Sequence, residues 1–480
     1  MKRSIFLLLL IGLALYSQAI GNPVTNRVVK GSVSCNGKAV AGVAVTDGYS
    51  VCLTNNKGKY SLNVDPKSRF VYLSSPAGYT VETENSVPRF FQAVPSGNEK
   101  NSTLDFQLKK TADDTQHGFV VWADPQIKSA AEAEQAKEVA NDVKELLKKY
   151  DSFSFHGMGC GDIVGDNPSL FDSIKNMLTP LEIPFYQSIG NHDLHYNSRS
   201  NEASSDVYES HFGPAYYSFN RGDVHYVVLN DIFYIGRDYF YIGYLPETQL
   251  SWLEKDLSYV EDGKTVVVVL HIPTALDEQD IKQFSYSNIS KSVSNKNALY
   301  KILEPYQAHI ISGHMHYSNN VVISPKLFEH NVSSVCGAWW QGPYALDGTP
   351  KGYAVFEADG PNLSWYYKSA GFSKDYQFNA YAVGENKEQP GFITANIWNW
   401  DPEWKVYWYE NGTRMGEMEA YTGTDPAAQK VYSDKDKLAY KWVSALPTKH
   451  LFRAKPHSSS AKITVEVIDR FGNSYKQDLN

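Results

Sequence analysis

Ile183-Pro184-Phe185-Tyr186-Gln187-Ser188-Ile189-Gly190-Asn191-His192-Asp193 is the stretch that decides how this chain is read. A short apolar run with buried-strand character meets a glycine, then side chains that donate, accept or bind metal. Ligands gather at such strand ends in open α/β sheets. Asn191 presents a neutral amide oxygen, and His192 is a group that carries a proton near neutral pH. Asp193 is placed in sequence to orient that imidazole. Taken alone, the tetrapeptide is equally well a polar turn between a strand and a helix. Its weight comes from the other strand ends of the chain.

Outward from this stretch, strands alternate with helices. Gly118 to Trp122 reads as a strand ending at Asp124-Pro125-Gln126, and Ser129 with Glu132 forms a capping box for a helix to about Tyr150. Phe153 to Met158 is a strand ending at Gly161-Asp162-Ile163-Val164-Gly165-Asp166, and Asn167-Pro168 opens a helix to about Leu181. Val224 to Leu229 and Thr265 to Leu270 are apolar strands, the second ending at His271, with an amphipathic helix from Glu247 to Val260 between them. Lys296 to Leu303 is helical, and His309 to Ser312 is a strand ending at Gly313-His314-Met315-His316. The alternation predicts an α/β domain with buried strands.

The strand ends thus offer Asp124, Gln126, Asp162, Asn191, His271, His314 and His316. Carboxylate, amide oxygen and imidazole together suit Mn, Zn or Fe, and differ from a thiolate structural site. The donors are more than one ion needs, and two ions sharing a carboxylate account for all of them. Such a pair suits displacement at phosphorus, with water activated and developing charge neutralised.

These ordered motifs resemble those of the calcineurin-like metallophosphoesterases, over residues 116–361. The stretch Asp347-Gly348-Thr349-Pro350-Lys351-Gly352-Tyr353, with Trp339 and Trp340 before it, is similar to members flanked by N-terminal and C-terminal β-domains. The resemblance implies a two-sheet sandwich with helices outside and a two-metal site of divalent or trivalent ions. It implies a first site of Asp124, Gln126, Asp162 and His316, and a second of Asp162, Asn191, His271 and His314, with Asp162 bridging. His192 matches the family's acid or transition-state stabiliser, with Asp193 its partner. The family usually has His where this chain has Gln126.

The flanks read differently. Residues 27–110 carry short strand-like runs, Val28 to Val33, Val43 to Val45, Tyr60 to Val64 and Phe70 to Ser74, and resemble a small transthyretin-like β-sandwich. Residues 362–480 read as a second β-sandwich, its strand tryptophans expected in the core rather than as a carbohydrate platform. Lys2 and Arg3 before the apolar run Ile5 to Tyr16, with small residues to Gly21, give 1–21 the layout of a secretory signal peptide. The expectation is an exported protein, periplasmic or extracellular, without a transmembrane segment after cleavage. Cys35 and Cys52 either pair or remain buried thiols, and Cys160 and Cys336 sit in apolar contexts.

Across 480 residues the hydrophobic content of 42% and charged content of 20% are those of a globular protein, and the net charge of −8 argues against a nucleic-acid partner. The expected activity is hydrolysis of a phosphate mono- or diester of a small molecule, glycan or lipid. The alternative is a non-catalytic glycan- or ligand-binding protein with a degenerate metal centre, favoured by Gln126 alone. His156 and His225 lie within strands and are read as core or as support for the site, His195 as either a substrate contact or a loop residue in solvent, and Asp166 as a supporting group or helix cap.

Overall fold

The computed structural model describes residues 27–95, 101–150, 153–276, 285–458 and 460–479. The segment read as a signal peptide lies outside them.

Two mixed sheets form the central domain. In the first, Phe185–Gln187, Ser154–Gly159 and Gln116–Trp122 run parallel, followed antiparallel by Gly352–Asp359 and then Asn362–Ser369. In the second, Val224–Val228, Thr265–Val269, Gln307–Ser312 and Leu327–Asn331 run parallel between the antiparallel edges Tyr217–Arg221 and Asn319–Ser324. Thr265–Val269 is buried along its whole length, as a strand covered on both faces must be. The sheets meet through aromatic rings: Tyr186 stacks on Phe219 at 3.8 Å, and Phe119 meets Tyr226 edge-on at 5.4 Å. His156 lies among these rings, where burial holds its ring neutral. His225 is also internal, with Nε2 3.0 Å from Asp256 Oδ2.

Helices cover the outer faces. Ala130–Leu147 begins where Ser129 Oγ accepts from Glu132 N–H, and it buries Ala136, Val139, Ala140, Val143 and Leu146 on one stripe. The expected helix from Pro168 to Leu181 is the α-helix Phe171–Leu178 between two 3₁₀ turns.

The N-terminal residues form a sandwich of six-stranded and four-stranded sheets. It docks on the central domain through Arg69 and Glu209, 2.7 Å apart, and through Tyr216 Oη donating to Gly48 O at 2.8 Å. The C-terminal domain packs two four-stranded sheets around Trp404, Val406, Trp408, Ile393 and Val465. Its strand tryptophan therefore fills the core, as expected.

One boundary moves. Asn362–Ser369, expected to open the C-terminal sandwich, pairs along its whole length with Gly352–Asp359 and closes the first central sheet. Its partner is its neighbour in sequence, so a tight hairpin wins over a domain break. The C-terminal sandwich begins at Phe378–Tyr381. The four cysteines are free thiols, so the open question of Cys35 and Cys52 resolves to no bridge.

Candidate metal centre

The parallel strands of both sheets end at one edge of the sandwich, and the predicted side chains meet there. The close approach depends on small residues. A Cβ at Gly190 would lie 2.1 Å from Asp162 N, and one at Gly313 would lie 2.6 Å from Asp124 Oδ2. The backbone is strained as well. Asp124, Gln126, Asp162, His314 and His316 all have positive φ, between 38° and 70°.

One set of donors is tightly gathered. His271 Nε2 lies 3.1 Å from Asn191 Oδ1, 3.1 Å from His314 Nδ1 and 3.3 Å from Asp162 Oδ1. His271 Nδ1 donates to Cys160 O at 2.6 Å, which fixes the tautomer and turns the Nε2 lone pair inward. Asp162, His271 and His314 form a group with metal-binding separations.

A second set faces it. His316 Nε2 and Asp124 Oδ1 are 3.6 Å apart, and His316 Nδ1 donates to Gly337 O at 3.1 Å. Asp124 Oδ1, Gln126 Oε1 and His316 Nε2 are all buried without a hydrogen-bond partner. Buried polar atoms rarely stay unpaired, and a cation is what this donor chemistry lacks. Burial, then the neighbouring Asp162, pushes Asp124 up to about 8, while burial pushes His316 down to about 4. Burial also raises Asp162, but His271 and His192 outweigh it and hold that carboxylate well below its usual range. The residues therefore fit a pair of ions, with Asp162 between the two sets. Gln126 differs in one respect: its Nε2 donates to Asp162 Oδ2 at 2.5 Å.

His192 stands at the mouth, its backbone N–H donating to Asp162 Oδ1 at 2.8 Å. Its Nδ1 lies 2.7 Å from Asp166 Oδ1. The expectation that Asp193 orients His192 is corrected here. Asp193 is fully buried and accepts from the N–H groups of Ile163, Val164 and Gly190 at 2.8–3.1 Å. It ties the Asp162 loop to the Asn191 turn and touches no reacting position. His195 is half exposed, its Nδ1 2.8 Å from Asp206 Oδ1.

Two supporting groups, Asp231 and Glu329, were not among the side chains singled out in the sequence. Asp231 accepts from His271 N–H and Ile272 N–H, and Glu329 accepts from Thr274 N–H and Ala275 N–H. These two buried carboxylates hold the loop after His271, and Asp231 had a visible signal, since it follows the strand Val224–Val228. Trp340 Nε1 donates to Pro125 O at 2.9 Å, and Trp339 stacks on His316 at 4.2 Å.

The chain is similar to known proteins. A model of calcineurin-like phosphoesterase matches residues 131–318, and models of the N terminal and C terminal of calcineurin-like phosphoesterase match 27–111 and 329–475. Serine/threonine-protein phosphatase CPPED1 of Homo sapiens is 26% identical over 220 residues, covering 41% of this chain and 68% of that protein. A dimetal phosphatase from Danio rerio is similar over 53% of this chain and 96% of that one, with 15% identity and a TM-score of 0.39. A purple acid phosphatase from yellow lupin is similar over 73% of this chain and 68% of that one, with 13% identity and a TM-score of 0.39.

Proposed function

The chain belongs to the calcineurin-like phosphoesterases with N-terminal and C-terminal domains, and from that premise we propose that it hydrolyses a phosphate mono- or diester at a two-ion centre. The observation that carries the reading is the pair of donor sets meeting at Asp162. Asp162, Asn191, His271 and His314 hold one ion. Asp124, Gln126, Asp162 and His316 hold the other, using the atoms otherwise left unpaired. When bound, such ions activate water and neutralise charge on the phosphoryl group. His192 holds a proton over the mouth and gives it to the leaving oxygen. Asp166 fixes the imidazole with its other nitrogen outward. Asp193 keeps the two loops together.

Export to the periplasm or outside the cell is part of the proposal, supported by the basic and apolar N-terminal segment alone. The substrate is proposed to be a phosphorylated small molecule, glycan or lipid. A second reading, a binding protein with a degenerate centre, draws on the Gln126 amide nitrogen facing Asp162. Metal analysis with turnover of an aryl phosphate separates the two. Bound ions with no turnover support the second, and bound ions with turnover the first.

A further inference from the structure

Trp442 is 63% exposed, an unusual position for the largest side chain in a domain that buries Trp398, Trp404 and Trp408. It is not a loose surface residue. Val443, next in sequence, is buried, and its N–H donates to Tyr440 O at 3.1 Å. Tyr440 N–H donates to Gln341 Oε1 at 2.7 Å, and Leu446 N–H to Leu346 O at 2.7 Å. The loop is thus fastened to the central domain on both sides of the indole.

Contacts trace where that indole stands. It meets Trp339 at 4.5 Å and 69°, and Trp339 stacks on His316 at 4.2 Å and 21°. On its other side Tyr440 is 6.0 Å away, and Lys128 Nζ lies 5.1 Å from the Tyr440 ring. The Lys128 stem packs on Gly165, the neighbour of Asp166, which pairs with His192. The path therefore runs from His316 through Trp339, Trp442, Tyr440 and Lys128 back to His192. Trp442 is the exposed ring on this path, one ring removed from His316. Trp339 and Trp340 hold φ of 54° and 60°, rare for bulky residues, and such outliers gather at binding sites.

We propose that Trp442, supplied by the C-terminal domain, is the platform on which the leaving group of the ester rests, and that this group carries a ring with an apolar face. An indole face binds the apolar face of a pyranose or an aromatic base by the same stacking, and an acyclic chain gains little from it. The inference rests on the proposed phosphoesterase reading and adds the leaving-group class to it.

The test compares a nucleoside 5′-monophosphate, a hexose 6-phosphate and glycerol 3-phosphate on the metal-loaded full chain. In Trp442→Ala, KM for a ring-bearing ester relative to glycerol 3-phosphate should rise about tenfold, with Trp442→Phe recovering most of the loss. Which of the two ring-bearing esters moves tells base from sugar. Tyr239→Ala, 62% exposed and in contact with Tyr196 on the Asn191 side, should leave the ratio unchanged. An unchanged ratio in Trp442→Ala, or the same shift in Tyr239→Ala, overturns the platform. The phosphoesterase reading itself is judged by aryl phosphate turnover, and the platform by binding where the wild type turns over none of the three esters. Calorimetric binding of the same esters to wild type and Trp442→Ala then decides the platform, and equal affinities overturn it.

Discussion

The His192 imidazole is held by Asp166, 26 residues before it, and not by Asp193, the next residue in the chain. The reason is local. Asn191–Asp193 is a 3₁₀ turn, in which successive side chains point about 120° apart. His192 faces the mouth while Asp193 points inward.

The two carboxylates should therefore fail differently. Asp166→Ala is expected to lower kcat on an alkyl phosphate about tenfold to a hundredfold, part of the ~10²–10⁴ a general acid contributes. Metal content should stay near normal, and the loss should shrink for aryl phosphates, whose leaving groups need no proton. In a His192→Asn background the same Asp166→Ala change should cost little more, because Asp166 acts through that imidazole. An additive double variant would contradict the pairing.

Asp193→Ala should act on the fold. It removes the acceptor for three buried backbone N–H groups, at a cost of about 3 kcal/mol, read in chemical unfolding. A variant as stable as the wild type would show that these bonds carry no weight.

The strand ends whose side chains gather at one edge were legible because each follows an apolar run that could be read locally. The supporting contacts were not. Trp340 reaches Pro125 across 215 residues, and no local pattern announces such a contact. Asn362–Ser369 has the same β character whether it opens a new sandwich or closes the central sheet, and only its pairing partner decides. Gln126 was visible as a departure from the family pattern, but its hydrogen bond to Asp162 depends on a strained turn.

Trp340→Phe keeps the ring and deletes the N–H that pins the Asp124-Pro125-Gln126 turn. Loss of a group that supports metal ligands typically costs 10–100-fold in affinity. Titration with Mn should show one of two ions weakened by about tenfold and the other unchanged. Equal weakening of both would contradict the assignment of Trp340 to the Asp124 side.

The docking of the N-terminal sandwich has a pH signature. Burial, opposed by Arg69, pushes Glu209 up to about 7 from its ordinary 4.5. A native carboxyl with the higher pKa binds more protons than the unfolded one between these values. Its contribution to stability is fully present below about pH 4.5, declines as pH rises towards 7, and is flat above. Glu209→Gln should remove that part of the slope, measured by urea unfolding from pH 5 to 8. A slope identical to wild type would mean that Glu209 ionises normally in the fold.

The central claim is that Asp162 joins two ions into one hydrolytic centre. Elemental analysis of metal-loaded wild type and Asp162→Ala, with aryl phosphate turnover on the same samples, tests it most directly. The account predicts about two ions per chain and turnover in the wild type. In Asp162→Ala it predicts loss of at least one ion and of nearly all turnover. Two ions retained in Asp162→Ala, or a fully loaded wild type that releases no phosphate, would contradict it.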